Sequence, residues 1–152
     1  MRVGTQYADG KVEQNHKLEQ NEKMNVFSRI KNMNILLIDD DEWIRDAMRI
    51  FFETEGCKIT ALETAEEALE MIQRQDYDIV ICDYKLPGMN GLAFFKEVLQ
   101  AQPEALTVLI TAYKTADLVS EARKIGVNAF IAKPFTSETI EASLSHLIAG
   151  AK

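Results

Sequence analysis

The chain has 152 residues, of which 47% are hydrophobic, the size and content of one domain with a sizeable core. Its formal net charge of -7 argues against a nucleic-acid surface, because phosphate binding draws on clustered Lys and Arg. No apolar run approaches the roughly 18 residues of a bilayer span, and Met1 to Lys31 lacks the apolar stretch of a secretory signal, so no membrane association and a cytoplasmic location are expected.

Residues 1–32 are rich in Gln, Asn, Lys and Glu and read as a polar, flexible tail that cannot bury enough surface to offset its ordering entropy. Lys17 to Arg29 has the composition of a short polar helix, and Met24 and Met33 stand as alternative translation starts. Mass spectrometry of the native protein tests that hypothesis, since an intact peptide spanning Val3 to Lys17 rules it out. Residues 33–150 form the expected folded unit.

From Met33 onward, short apolar runs alternate with segments of helical period. Ile35 to Ile38 is the first strand, followed by Asp39, Asp40, Asp41 and Glu42; the last two suit a helix N-terminus. Ile44, Ala47, Met48, Phe51 and Phe52 then mark an amphipathic helix. Lys58 to Leu62 is a weaker strand, and Thr64 with Glu67 is a capping box for a helix through Ala65, Ala68, Leu69 and Ile72. Cys57 and Cys82 read as reduced structural thiols, without metal-ligand spacing.

Ile79 to Cys82 is the third strand and ends at Asp83. The loop that follows carries Pro87-Gly88 for a turn, Asn90 to cap a helix over Leu92 to Leu99, and Gly91, expected at positive φ. Leu106 to Ile110 is a strand ending at Thr111 and Ala112, and Leu118 to Ile125 is a helix. Ala129 to Ala132 is a strand ending at Lys133-Pro134, and Ile140, Leu144, Leu147 and Ile148 mark the last helix, with His146 on its solvated side. His16 and His146 are isolated and read as surface residues. Four of the strands (all but Lys58 to Leu62) are expected to be buried on both faces.

Right-handed crossovers make such a chain an α/β doubly wound five-stranded parallel sheet, a flavodoxin-like (βα)5 unit of strand order 2-1-3-4-5. In that order the first and third strands are neighbours. Asp39, Asp40 and Asp83 therefore converge at the topological switch point, where clustered carboxylates call for a hard cation such as Mg²⁺.

The set Asp39-Asp40, Asp83, Thr111-Ala112 and Lys133-Pro134-Phe135, at four strand ends, resembles the response-regulator receiver family of two-component and phosphorelay systems from Asn34 to about Ile148. The resemblance implies a stand-alone receiver that is not an enzyme. Asp83 would be the phosphoacceptor, taking a phosphoryl group from a sensor histidine kinase or a histidine phosphotransferase. Mg²⁺ would be held by Asp39, Asp40, Asp83 and the main-chain carbonyl of Lys85, with Asp39 acting through water or hydrogen bonds. Thr111, Ala112 and Lys133 would receive the phosphoryl group, and Thr111 with Phe130 would be the switch pair that alters a downstream partner surface on the fourth helix, fifth strand and fifth helix. Lys85 and Tyr113 would flank the path of water and slow dephosphorylation, as suits a relay intermediate. Lys133-Pro134 is expected to be cis. Asn90 departs from the Asp usual in the family, and both cap helices well. The oligomeric state, monomer or phosphorylation-dependent dimer, is left open.

Two other readings compete. Asp39-Asp40-Asp41 after an apolar strand also resembles the Asp-x-Asp opening of haloacid-dehalogenase-like phosphatases, with Asp39 as nucleophile and Asp41 as acid/base. Against it, Trp43 replaces the usual Thr or Val and no acidic pair follows Lys133. A pure interaction module would break the acidic pair, the acceptor or the lysine, and all are intact. Trp43 and Tyr84 are expected to be exposed and available for partner contacts.

Overall fold

The computed structural model describes residues 26–150. Ten elements alternate along them: β1 (Asn34–Ile38), α1 (Glu42–Thr54), β2 (Lys58–Leu62), α2 (Ala65–Arg74), β3 (Ile79–Asp83), α3 (Gly91–Ala101), β4 (Leu106–Thr111), α4 (Ala116–Ile125), β5 (Ala129–Ala132) and α5 (Ser137–Gly150). The strands form one sheet of order β2-β1-β3-β4-β5, every pair parallel. This is the expected flavodoxin-like topology. Parallel neighbours need crossovers, and each crossover carries a helix to one face of the sheet.

Alternation along the strands splits the core into two layers. Leu36, Ile38, Val80, Cys82 and Leu109 point to the face covered by α2, α3 and α4, where Phe94 and Phe95 are wholly buried. Ile35, Leu37, Ile79, Ile81, Val108 and Ile110 point to the other face, against Met48 and Phe52 of α1 and Ile140 and Leu144 of α5. β1 and β3 are therefore buried on both faces, and β4 is buried except at half-buried Leu106. β5 departs from that expectation: Ala129 and Phe130 are half-buried and Ala132 is exposed, because β5 is an edge strand with no neighbour on its outer side.

The expected tail boundary also moves. Residues 26–30 are helical, and Val26, Phe27 and Ile30 are buried in the α1/α5 layer. Phe27 meets Phe51 edge-on with centroids 5.7 Å apart, while Val26 and Arg29 lie beside Ala142 and Ile148 of α5. Composition hid this segment, since three apolar residues among polar ones do not shift an average, yet their spacing gives one apolar face. Residues 1–25 of the expected tail, including His16 and all but the last four residues of the Lys17 to Arg29 segment, lie outside the described residues.

Helix starts follow local chemistry. Asp41, Thr64, Asn90 and Thr115 each occupy an N-cap, and their side-chain oxygens accept from Trp43, Glu67, Ala93 and Leu118 N–H respectively. The Thr64 hydroxyl also donates to the Glu67 carboxylate at 2.9 Å, so the expected box is met by its Thr64 cap, with Glu67 returning to the hydroxyl and not to the Thr64 N–H.

Candidate functional site

The strand ends meet in one cleft. Register pairs Ile38 with Cys82, Asp83 with Ile110 and Thr111 with Ala132, so Asp39, Asp83, Thr111 and Lys133 leave the sheet at nearly one level. Carboxylate oxygens of Asp39, Asp40 and Asp83 lie within 4.8 Å of one another. Lys133 closes the group: its Nζ stands 2.9 Å from Asp39 Oδ2 and 3.1 Å from Asp83 Oδ2. Asp39 is wholly buried and Asp83 is 6% exposed, whereas Asp40 faces solvent. The Lys133-Pro134 bond is cis.

Burial raises the Asp83 pKa above the ordinary aspartate range and Asp39 adds to this, while the Lys133 hydrogen bond and charge act in the opposite direction. For Lys133 itself, burial works against the charge, but the close contacts and attraction of Asp39 and Asp83 together outweigh it and its pKa is raised. The neighbouring Cys82 thiol is pushed well up by burial and then by Asp83 and Asp39, which leaves it an inert packing group. Cys57 is likewise free and buried.

The cluster fits a hard divalent cation. Asp39 Oδ1 accepts the Asp41 N–H at 3.0 Å, but buried Oδ2 has only the off-axis ion pair to Lys133 and no aligned donor. A buried carboxylate oxygen in that position keeps acceptor capacity that a hydrated cation satisfies.

A cleft of about 440 Å³ opens over these groups, lined by Asp40, Asp83, Thr111, Ala112 and Lys133 with Lys85 and Tyr113 among its outer residues. Thr111 Oγ1 accepts the Tyr113 N–H at 2.9 Å, which leaves its own proton free to donate. Ala112 adds no more than a methyl group to the wall. The Lys85 ammonium lies 5.6 Å from the centre of the exposed Tyr113 ring, so the two bulky side chains touch rather than merely flank the opening.

The loop after β3 corrects one expectation. Gly88, at φ 77°, takes the left-handed conformation, and Gly91 does not. Gly91 is needed for close approach, since a Cβ there would stand 2.5 Å from the Asp83 carbonyl oxygen. The Gly91 N–H instead donates to the Tyr84 carbonyl at 2.8 Å. Glu66 of α2 holds the loop from outside by accepting the Met89 N–H at 3.1 Å, and Arg45 of α1 donates to the Asp39 carbonyl at 2.9 Å. Neither support shows as a motif: Glu66 and Met89 stand 23 residues apart and meet only by folding, and Arg45 reaches back six residues to a main-chain carbonyl, which any residue carries.

Trp43 is exposed as expected, at 86%, but Tyr84 is half-buried against the α2–α4 layer. Asp41 spends a side-chain oxygen on capping α1, which takes it out of the acid/base role that the phosphatase reading needs. Phe130 lies half-buried with Arg123 over its ring, 5.6 Å from the centroid.

Fold and site together define a doubly wound α/β domain with an acidic pocket and one lysine at the switch point. The response regulator receiver domain model matches residues 35–145. The chain belongs to the response regulator receiver domain family. It is 35% identical over 107 residues to the C4-dicarboxylate transport transcriptional regulatory protein DctD of Rhizobium meliloti (strain 1021), a match covering 70% of this chain and 23% of that protein. It is 29% identical over 109 residues to sporulation initiation phosphotransferase F of Bacillus subtilis (strain 168), covering 72% of this chain and 88% of that one. Several curated relatives are much longer, and the chain spans 17% to 31% of their length. Among solved structures, a Burkholderia pseudomallei response regulator with a phosphorylated aspartic acid, calcium ion and citrate matches with TM-score 0.70 and 25% identity, over 77% of this chain and 71% of that one. Among the described residues, no helix is long and apolar enough to cross a membrane.

Proposed function

We propose that this receiver accepts a phosphoryl group on Asp83 from a histidine kinase or histidine phosphotransferase. It then signals to a separate protein through α4, β5 and α5 or passes the group on. The observation that carries the reading is the Lys133 ammonium held between Asp39 and Asp83 in an open cleft. An Asp83 carboxylate oxygen attacks phosphorus, a new O–P bond forms, and the P–N bond to the donor imidazole breaks with its electron pair returning to the ring. Lys133 moves from its two carboxylates to the incoming phosphoryl oxygens, Thr111 donates to one of them, and Ala112 leaves them room.

Asp40, Asp83 and the Lys85 main-chain carbonyl would hold Mg²⁺, with Asp39 supporting it through water. Bound there, the ion neutralises repulsion between the anionic acceptor and donor and stabilises charge on the phosphoryl oxygens. Engagement of Thr111 draws it toward the phosphoryl group, and Phe130 moves into the vacated space, biasing the α4-β5-α5 surface between two populations. Exposed Trp43, at the start of α1, offers apolar contact to a partner.

Incubation with acetyl phosphate and Mg²⁺, followed by peptide mass spectrometry, tests it. One phosphoryl group on the peptide containing Asp83, lost in Asp83→Asn, is the expected result. Labelling that persists in that variant, or that maps to Asp39, discards the reading.

A further inference from the structure

Arg45 stands in the first turn of α1, its main-chain N–H bonded to the carbonyl of the N-cap Asp41 at 3.1 Å. A cation there faces the positive pole of the helix dipole, so the position by itself disfavours it. The chain around it is acidic, with Asp39, Asp40, Asp41, Glu42 and Asp46 all within six residues. Among the described residues, Arg45 nevertheless forms no ion pair with any of them, while Asp46 pairs with Arg49, and Asp39 and Asp83 with Lys133. Its half-buried guanidinium turns back to a neutral acceptor instead, and Nη1 donates to the Asp39 main-chain carbonyl at 2.9 Å. That bond ties α1 to the carboxyl end of β1.

The other polar atoms of Asp39 are held as well. Its N–H donates to the Leu62 carbonyl of β2 at 3.1 Å, and its Oδ1 accepts the Asp41 N–H at 3.0 Å. Only Oδ2, on the side of Lys133, has no aligned donor. The Asp39 carbonyl also belongs to the planar peptide unit that leads into Asp40. A guanidinium holding that oxygen therefore sets the plane from which exposed Asp40 brings its carboxylate within 4.8 Å of those of Asp39 and Asp83.

We propose that Arg45 is a positioning residue for the divalent cation of the acidic cleft, holding the Asp39-Asp40 peptide so that both carboxylates already converge with Asp83. The proposal rests on the receiver reading and adds to its metal site a residue that is not a ligand. Because the guanidinium bonds a carbonyl, it takes no carboxylate oxygen that the cation needs. Without that bond the peptide is free to turn, and ordering the two carboxylates falls on the free energy of ion binding.

Isothermal titration of the full chain with Mg²⁺ tests this. Arg45→Ala is expected to weaken binding by about tenfold or more, the range that loss of a supporting contact to a metal ligand produces. Arg45→Lys, which keeps a donor and the charge on a different stem, should bind more tightly than Arg45→Ala. Arg49→Ala is the control for general loosening of α1, since Arg49 bonds Asp46 and reaches the Ala61 carbonyl only at 3.5 Å, and it should bind Mg²⁺ as the parent does. In labelling by acetyl phosphate, the Mg²⁺ concentration for half-maximal rate should rise in Arg45→Ala by the same factor, with the rate at saturating Mg²⁺ near the parent's. Should Arg45→Ala not fold, Arg45→Gln, which keeps more of the stem but is too short to reach the carbonyl, takes its place. Parent-like affinity in the Arg45 variants, an equal loss in Arg49→Ala, or Arg45→Lys no tighter than Arg45→Ala overturns the proposal. Parent binding that is lost in Asp40→Asn but kept in Arg45→Ala removes only this residue's role, whereas a parent that binds no Mg²⁺, or binds it undiminished in Asp40→Asn, overturns the receiver reading as well.

Discussion

Asp83 is held at a cost. Its raised pKa comes from burial first and from Asp39 second, with Lys133 only partly compensating. A carboxyl group with a higher pKa folded than unfolded binds protons more tightly in the native state, so its contribution to stability is full below the unfolded pKa and is lost as pH rises through the folded one. In chelator-treated protein, Asp83→Asn should therefore raise Tm at neutral pH by a few degrees, about what 1 kcal/mol produces in a domain of this size, and the gain should vanish below about pH 4. Thermal melts across pH check this, and a variant that melts lower than the parent at pH 7 contradicts it. Lys85 and Tyr113, in contact at the cleft mouth, should act together on the phosphoryl group's lifetime. Lys85→Ala and Tyr113→Ala should each speed loss of phosphate several-fold, and the double variant should add less than the product of the singles. Loss of label in Mg²⁺ buffer measures it, and unchanged lifetimes in both single variants would remove the steric role. The identities at these positions were legible from resemblance alone, whereas their mutual contact was not, because an ammonium and a ring from two loops meet only in the folded chain.

The elements show where local pattern suffices. Four N-caps sit on Asp, Thr or Asn side chains whose oxygens meet backbone donors two or three residues on, a contact set by local geometry; the starts at Asp41, Thr64 and Asn90 were readable for that reason, whereas Thr115 was passed over and its helix expected only from Leu118. The helix at residues 26–30 is the opposite case, since too few residues carry it and its worth lies in the α1/α5 surface that it covers. Phe27→Ala should lower unfolding free energy by roughly 3 kcal/mol, measured by urea denaturation, while an unchanged midpoint would return this segment to the status of a tail. Gly91 was singled out for the wrong physical reason, positive φ, when the constraint is the approach of the α3 N-terminus to the Asp83 carbonyl. Gly91→Ala should thus cost about 1–3 kcal/mol through forced backbone movement and slow phosphorylation by displacing Asp83. Parent-like stability and labelling would show that the loop yields freely.

Across the whole molecule, Thr111 and Phe130 sit on adjacent strands between the carboxyl ends of β1 and β3 and the β5 face, the path that the proposed switch would use. Mg²⁺ with beryllofluoride should raise Tm, because a ligand that binds only the native state stabilises it by mass action, and should shift the resonances of Phe130 and Arg123. Stabilisation without change at those two residues would place the switch elsewhere. The sequence alone determined the strand and helix alternation, the strand order and the residues at the strand ends, because hydrophobic period and right-handed crossovers leave few arrangements. Only the tertiary structure decided that β5 is half-open, that residues 26–30 belong to the core, that Lys133 bridges two carboxylates, and that Arg123 of α4 lies over the Phe130 ring. Those facts depend on contacts between residues far apart in the chain, which composition and period do not encode.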